Sequence, residues 1–371
     1  MFKLTGIKTM FRYSILLVTF LIFHGFIQKS FSQNSEELIK KIDALEKKIA
    51  EQQHNFDKLE KQIDDLAWQN RLGDIAYVDK VYITGPPLAK IKNPDAVGAN
   101  NPVKFWNYVF VPRNIDRNKK YPLIILPHGG VHSNFSTYYT HIVRELIAQG
   151  YIVSAPEYRG STGYGKSFYE MIDYGGREVG DTDASREYMV ENYPFVDKNR
   201  VGLIGWSHGG MITLMCLFEY PEKYKVGFAG VPVSDLIMRF GYHGEDYLKY
   251  FDADYHIGKS PLENTEEYKK RSPVFHAEKL RTPLMINTNT NDDDVFAIEV
   301  MNLINALKAE GKKFEYDVYK DMPGGHSFER IDIRSAREIR WKTYEFLSKY
   351  LDPPNKFKSL SELEIIAYPG R

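Results

Sequence analysis

From Leu38 to Leu66 the apolar residues recur in alternating steps of four and three. Ile42, Ile49, Phe56 and Ile63 fall at heptad positions a, and Leu38, Leu45, Gln52, Leu59 and Leu66 at d. Ile at a with Leu at d favours a parallel two-stranded coil. Lys41 at g can pair with Glu46 at the following e of a second strand, while Gln52 and Phe56 weaken the middle of the seam. A stripe this narrow, with charges on the other faces, suits a seam better than a core-facing helix. The competing reading is an amphipathic helix folded back onto the rest of the chain. Asn70 to Asp79 reads as the exit, and Gly85 to Pro102, rich in turn formers, as loop with short strands around it.

From Phe105 onward the pattern changes to short apolar runs alternating with helical spacing. Strands are predicted at 105–111, 123–126, 151–154, 201–204, 226–233, 284–288 and 314–319. Helices are predicted at 136–149, 181–193, 209–220, 295–310 and 333–350. This alternation predicts an α/β fold with a mainly parallel central sheet covered on both faces. Residues 235–275 break the rhythm and read as an insertion over the sheet's edge. No internal repeat of 20–50 residues is visible, so no propeller or solenoid is encoded here.

The N-terminus has its own logic. Lys3, Lys8 and Arg12 precede an apolar run from Tyr13 to Phe23, and Ser30 and Ser32 put small residues where a signal peptidase reads. Residues 1–32 are therefore expected to be a secretory signal cleaved after Ser32, giving a secreted or periplasmic protein. An uncleaved anchor is the alternative, but His24 and Gly25 interrupt the run early for a spanning helix. Only in that case is a membrane contact expected. The chain divides on this reading into a signal (1–32), a coiled-coil helix (35–72), a main domain (74–352) and a C-terminal tail (353–371).

Composition narrows the classes. The 371 residues are 43% hydrophobic and carry 49 basic against 49 acidic side chains. That is ample for a large core, excludes wholesale disorder, and gives no global pull toward nucleic acid. The single cysteine, Cys216, forms no internal disulfide and builds no cysteine zinc site, and it reads as core.

Candidate chemistry gathers at strand ends. Gly205-Trp206-Ser207-His208-Gly209 fits G-x-S-x-G between a predicted strand and a predicted helix, the setting of a nucleophile elbow. A serine needs a base, and the base an orienting acid, which hydrolases of this type present in the order Ser, Asp, His. Downstream, the strand at 284–288 runs into Asp292-Asp293-Asp294, three competitors for the acid. The strand at 314–319 leads to the glycine-flanked His326. Upstream, His128-Gly129-Gly130 follows a strand, so the N–H groups of Gly129, Gly130 and His208 are candidate oxyanion donors. His128 and His132 lack a third ligand for a metal, and Gly160 to Gly165 has the wrong spacing for a nucleotide loop. No cofactor and no metal are expected.

Taken together, residues 121–350 resemble the catalytic domain of the prolyl oligopeptidase family of serine peptidases, an α/β-hydrolase. The carriers are His128-Gly129-Gly130-Val131-His132-Ser133, Tyr158-Arg159-Gly160-Ser161-Thr162-Gly163-Tyr164-Gly165, Gly205 to Gly210, Asp292-Asp293-Asp294-Val295 and Gly325-His326. The acylaminoacyl-peptidase and dipeptidyl-peptidase branches look nearest. The resemblance implies that Asp292, first of the D-D-x-V segment, is the acid, and that Val231 to Ser234 opens a pocket-lining stretch with Phe240 and Tyr242 as aromatic walls. It also implies a β-propeller, for which the 88 residues between the expected cleavage site and Tyr121, many of them coil, leave no room. A side-chain tyrosine found in the oxyanion loop of some branches is His128 here. The activity expected is that of a serine peptidase acting on short peptides or acyl-peptides. A carboxylesterase and an inactive hydrolase-fold binding protein are the alternatives, and the 38–66 coil makes a homo-oligomer the expected assembly.

Overall fold

A computed structural model describes residues 5–91, 93–368 and 370; for residues 5–34, 36 and 246 it describes backbone only. The expected signal thus lies outside the residues with described side chains. Among the described residues no helix is long and apolar enough to cross a membrane. The chain forms two compact units that divide between Phe56 and Asp57.

The first unit is helical. Helix α1, Thr5–Leu72, runs through it, with Lys41 paired to Glu37 at 2.7 Å and Leu38, Ile42, Leu45 and Ile49 all exposed.

The second unit contains the last turns of α1 and an eight-stranded sheet in the order β1-β2-β4-β3-β5-β6-β7-β8. The strands are β1 Ala76–Pro87, β2 Pro102–Pro112, β3 Tyr121–Ile125, β4 Ile152–Pro156, β5 Val196–Trp206, β6 Val226–Gly230, β7 Leu284–Asn289 and β8 Glu315–Tyr319. β2 pairs antiparallel with β1 and β4, and from β4 to β8 every pairing is parallel. The helices that follow α1 are α2 Thr140–Ala148, α3 Lys166–Tyr169, α4 Arg177–Asn192, α5 His208–Glu219, α6 Leu236–Tyr242, α7 Glu245–Asp252, α8 Thr265–Lys270, α9 Ala297–Ala309, α10 Arg334–Leu351 and α11 Leu360–Ala367.

Alternation along the strands feeds two cores. Ile125 and Leu203 point into the layer of α4, α5 and α9, while their neighbours Ile124 and Ile204 point into the layer of α2, α10 and α11. Parallel strands buried on both faces read as continuous apolar runs, which is why 123–126 and 201–204 were legible.

Several boundaries differ from the sequence expectation for local reasons. β1 runs from Ala76 to Pro87, so the last four residues of the expected exit and the start of the expected loop are strand. α4 begins at Arg177 rather than 181, because Asp181 is not a solvated first-turn acid: it is buried in a bidentate pair with Arg159 at 2.8 Å. β6 stops at Gly230, where Val231 takes a φ of 38°. The stretch after 352 is more than a tail. It forms α11, buries Leu363, and sends the Tyr368 hydroxyl to Glu145 at 2.6 Å, beside the buried Glu145–Arg340 ion pair at 2.7 Å.

The last turns of α1 belong to the sheet unit. Trp68 stacks on Phe135 (5.5 Å between ring centroids), Asp64 accepts from the Thr137 N–H and hydroxyl, and Lys61 is buried against Glu157 at 2.9 Å. Gly163, in the loop whose spacing ruled out a nucleotide, packs on this helix: a Cβ there would stand 2.7 Å from that of Lys61.

Candidate active site

Ser207 sits at the turn from β5 to α5 with φ 58° and ψ −123°, a strained conformation for a non-glycine residue. The chain is crowded on both sides of it. A Cβ at Gly205 would lie 2.0 Å from the Gly209 carbonyl oxygen, and one at Gly209 2.3 Å from that of Pro127. Both glycines of G-x-S-x-G are thus required by close backbone approach. The Ser207 N–H is taken by Gly230 O at 3.0 Å, whereas the His208 N–H, in the first turn of α5, has no intrahelical acceptor.

Of the three aspartates, Asp292 is the one that meets His326 at Nδ1. Its two carboxylate oxygens lie 2.9 and 2.8 Å from that nitrogen, and one of them also accepts the N–H groups of Asp294 and Val295 at 2.9 Å. This Asx-type turn fixes the carboxylate. Asp293 is exposed. Asp294 stands 3.6 Å from His326 Nε2 and is ion-paired to Arg239; burial raises its pKa, and Arg239 and His326 more than offset this, holding the carboxyl below the usual range. No hydrogen bond joins Ser207 to His326 among the described residues, and catalytic hydrogen bonds are commonly long before substrate binds.

The oxyanion loop is held by a polar network. The Gly129 N–H donates to the Tyr139 hydroxyl at 3.2 Å, while the Gly130 N–H makes no hydrogen bond among the described residues. The Gly130 carbonyl lies 2.9 Å from His208 Nδ1, and His208 Nε2 is 3.2 Å from Glu178. The Tyr158 hydroxyl donates to His128 O at 2.7 Å. His128 itself is buried, with Nε2 2.9 Å from Ser161 Oγ; burial pushes its pKa down to about 3, so the ring is neutral. His132 stacks on Tyr169 and meets Gly160 O at 3.0 Å. The two histidines therefore serve the loop separately.

Phe240 and Tyr242 part company. Phe240 packs inward among Tyr247, Phe251 and Tyr268. The Tyr242 ring stacks on Phe296 at 4.1 Å, and its hydroxyl accepts from Arg239 at 3.0 Å and donates to the buried Glu299, close to the aspartate run. Sequence reasoning passed over Tyr174, whose ring lies 4.0 Å from His208 and 5.1 Å from Phe251, joining the aromatic cluster to the elbow. It also passed over Glu178, Arg239 and Glu299, whose partners come from distant segments. Glu329, three residues past His326, went unread too. It is buried, accepts from Asn287 at 2.7 Å, and is pushed up to about 7 by desolvation.

Comparison with known proteins places the chain in a family. The sequence profile of the "Prolyl oligopeptidase family" matches residues 137–353, and that of "Platelet-activating factor acetylhydrolase, isoform II" matches residues 96–171. The chain is 31% identical over 204 residues to an uncharacterized peptidase, YuxL, of Bacillus subtilis, covering 54% of this chain and 30% of that protein. It is 27% identical over 267 residues to the acylamino-acid-releasing enzyme of Arabidopsis thaliana, covering 68% of this chain and 35% of that enzyme. The chain thus spans about a third of the length of these curated relatives. In fold it is similar to dipeptidyl peptidase 4 of Porphyromonas gingivalis (TM-score 0.60, 23% identity, 78% of this chain and 38% of that one). It is likewise similar to an acylaminoacyl peptidase of Pyrococcus horikoshii (TM-score 0.62, 21% identity, 80% of this chain and 45% of that one).

Proposed function

Because the chain belongs to the prolyl oligopeptidase family of peptidases, we propose that it is a serine hydrolase that cleaves short peptides or acyl-peptides through an acyl-enzyme. The observation that carries this reading is the Asp292–His326 contact at Nδ1, made by residues on separate strand-end loops and in the chain order that also contains a strained Ser207. With Nδ1 engaged, the ring has Nε2 for the serine proton. Ser207 Oγ attacks the scissile carbonyl, His326 takes the proton and returns it to the leaving amine, and water then releases the acyl group by the same route. The developing oxyanion is held by the His208 and Gly130 N–H groups. Gly129, already donating to Tyr139, acts by shaping the loop.

The second reading, a carboxylesterase, is favoured by the acetylhydrolase profile over 96–171. A panel of aminoacyl p-nitroanilides and p-nitrophenyl acyl esters separates the two. Amide turnover comparable to ester turnover supports the peptidase, and turnover of esters alone would remove it. The charge and small-residue order of residues 1–32 supports export with cleavage after Ser32. An exported protein whose N-terminal sequence does not start at Gln33 would refute that cleavage site.

A further inference from the structure

We propose that two copies of this chain associate through a parallel, in-register, two-stranded coiled coil over Leu38–Leu66. The heptad register alone leaves open which side of the helix meets the sheet unit, and the last turns of α1 settle that point. Lys61 and Trp68, both at f, are 3% and 1% exposed, and Asp64 at b and Leu72 at c are also engaged or buried. In the same turns Ile63 at a and Leu66 at d are 68% and 77% exposed. At 100° per residue, f lies opposite the a/d seam. Within the sheet unit, the last turns of α1 are therefore gripped by their back, and Ile63 and Leu66 are left uncovered. In the first unit the a and d residues of the preceding heptads are exposed as well. A run of large apolar side chains in water on one helix face marks an association surface.

The occupant is a second copy because the stripe complements itself. Its charged e positions, Glu46 and Glu60, are all acidic, and its charged g positions, Lys41 and Lys48, are all basic. Parallel strands set g against the following e of the other copy, so Lys41 meets Glu46 and no like charges meet. Antiparallel strands over the same seam set e against e, placing Glu46 opposite Glu60, and g against g, placing the lysines opposite the uncharged Asn55 and Gln62, so the Lys41–Glu46 pairing is lost. Gln52, the one polar d residue, finds an amide partner across the seam when it faces its own counterpart, which fixes the register.

The test is the mass of the full chain in solution by sedimentation equilibrium, with the doublet Ile49→Lys/Ile63→Lys beside it. The expected result is a two-chain mass that falls by half in the variant, with hydrolysis per chain unchanged. The doublet Ile49→Ala/Ile63→Ala, which preserves helix propensity, should weaken association at least tenfold while keeping the circular dichroism of the helix. A one-chain or three-chain wild type, or a mass indifferent to the substitutions, would overturn the proposal. Orientation is read with Leu38→Cys under mild oxidation, since Cys216 is buried. A disulfide-linked pair is expected. A two-chain species that fails to crosslink there would overturn the parallel register.

Discussion

Around Ser207 polar groups crowd the inside of the molecule; on α1 apolar groups crowd its outside. Glu178, His128 and Glu329 are buried to 1% exposure or less, while Leu59, Ile63 and Leu66 are all more than half exposed. Both regions invert the usual partition, and each inversion costs free energy. They differ in how the cost is offset. Near the elbow, each of those three buried polar side chains has a partner from the same chain: His208 for Glu178, Ser161 for His128, Asn287 for Glu329. On the outward face of α1, Leu59, Ile63 and Leu66 stay mostly in water among the described residues. The first inversion is offset within the chain, whereas the second leaves apolar surface in water.

The comparison breaks most severely at the nucleophile. Ser207→Ala should lower turnover by about 10⁴-fold or more with the circular dichroism spectrum unchanged; comparable turnover would move the nucleophile elsewhere. Next comes the acid: Asp292→Asn should cost about 10³- to 10⁴-fold in kcat, against less than about threefold for Asp293→Asn. The reverse order would reassign the role. On the inward face of α1, Lys61→Met strands Glu157 without its cation, and urea unfolding should report a loss of about 3 kcal/mol or more. Burial raises the Glu157 pKa and Lys61 is the largest influence opposing it.

Glu329→Gln sharpens the comparison through pH. The folded carboxyl holds its proton up to about pH 7, against 4.5 ordinarily, because burial disfavours the charge. The wild-type contribution to stability from this group is therefore fully present below about pH 4 and is lost as pH rises through 7. The melting temperature of the variant should gain on the wild type between pH 5 and pH 8; a difference independent of pH would show that Glu329 titrates normally. Smallest of all, Ile63→Lys on the outward face should leave the unfolding free energy of the sheet unit within about 0.5 kcal/mol.

What the sequence disclosed, and what it withheld, follows from how each feature is encoded. The buried strands at 123–126 and 201–204, the elbow and the late histidine announce themselves by local pattern, because a parallel strand, a strained turn and a glycine-flanked loop each need particular neighbours in sequence. Asp292 was one of three candidates on pattern alone, and geometry separates it by contact with His326. The residues that went unread act at long range. Glu178 is an ordinary first-turn glutamate until α4 brings it to His208, and Tyr174 is one tyrosine of 26 until it reaches the same ring. β1 was obscured by the prolines and glycine at its end, which an edge strand tolerates. Lys61 carried no signal at all, since lysine at an f position ordinarily faces water.

That lysine also sets an order of events in synthesis. Lys61 bonds to Phe135 O, 74 residues further along, and to Glu157 beyond it. When the helix emerges from the ribosome its future partners do not yet exist, so its back is still solvated. The outward stripe is complete from the moment the helix forms, because everything it needs is within the helix itself. On the proposed association, two nascent chains can meet along this stripe before either sheet unit has folded.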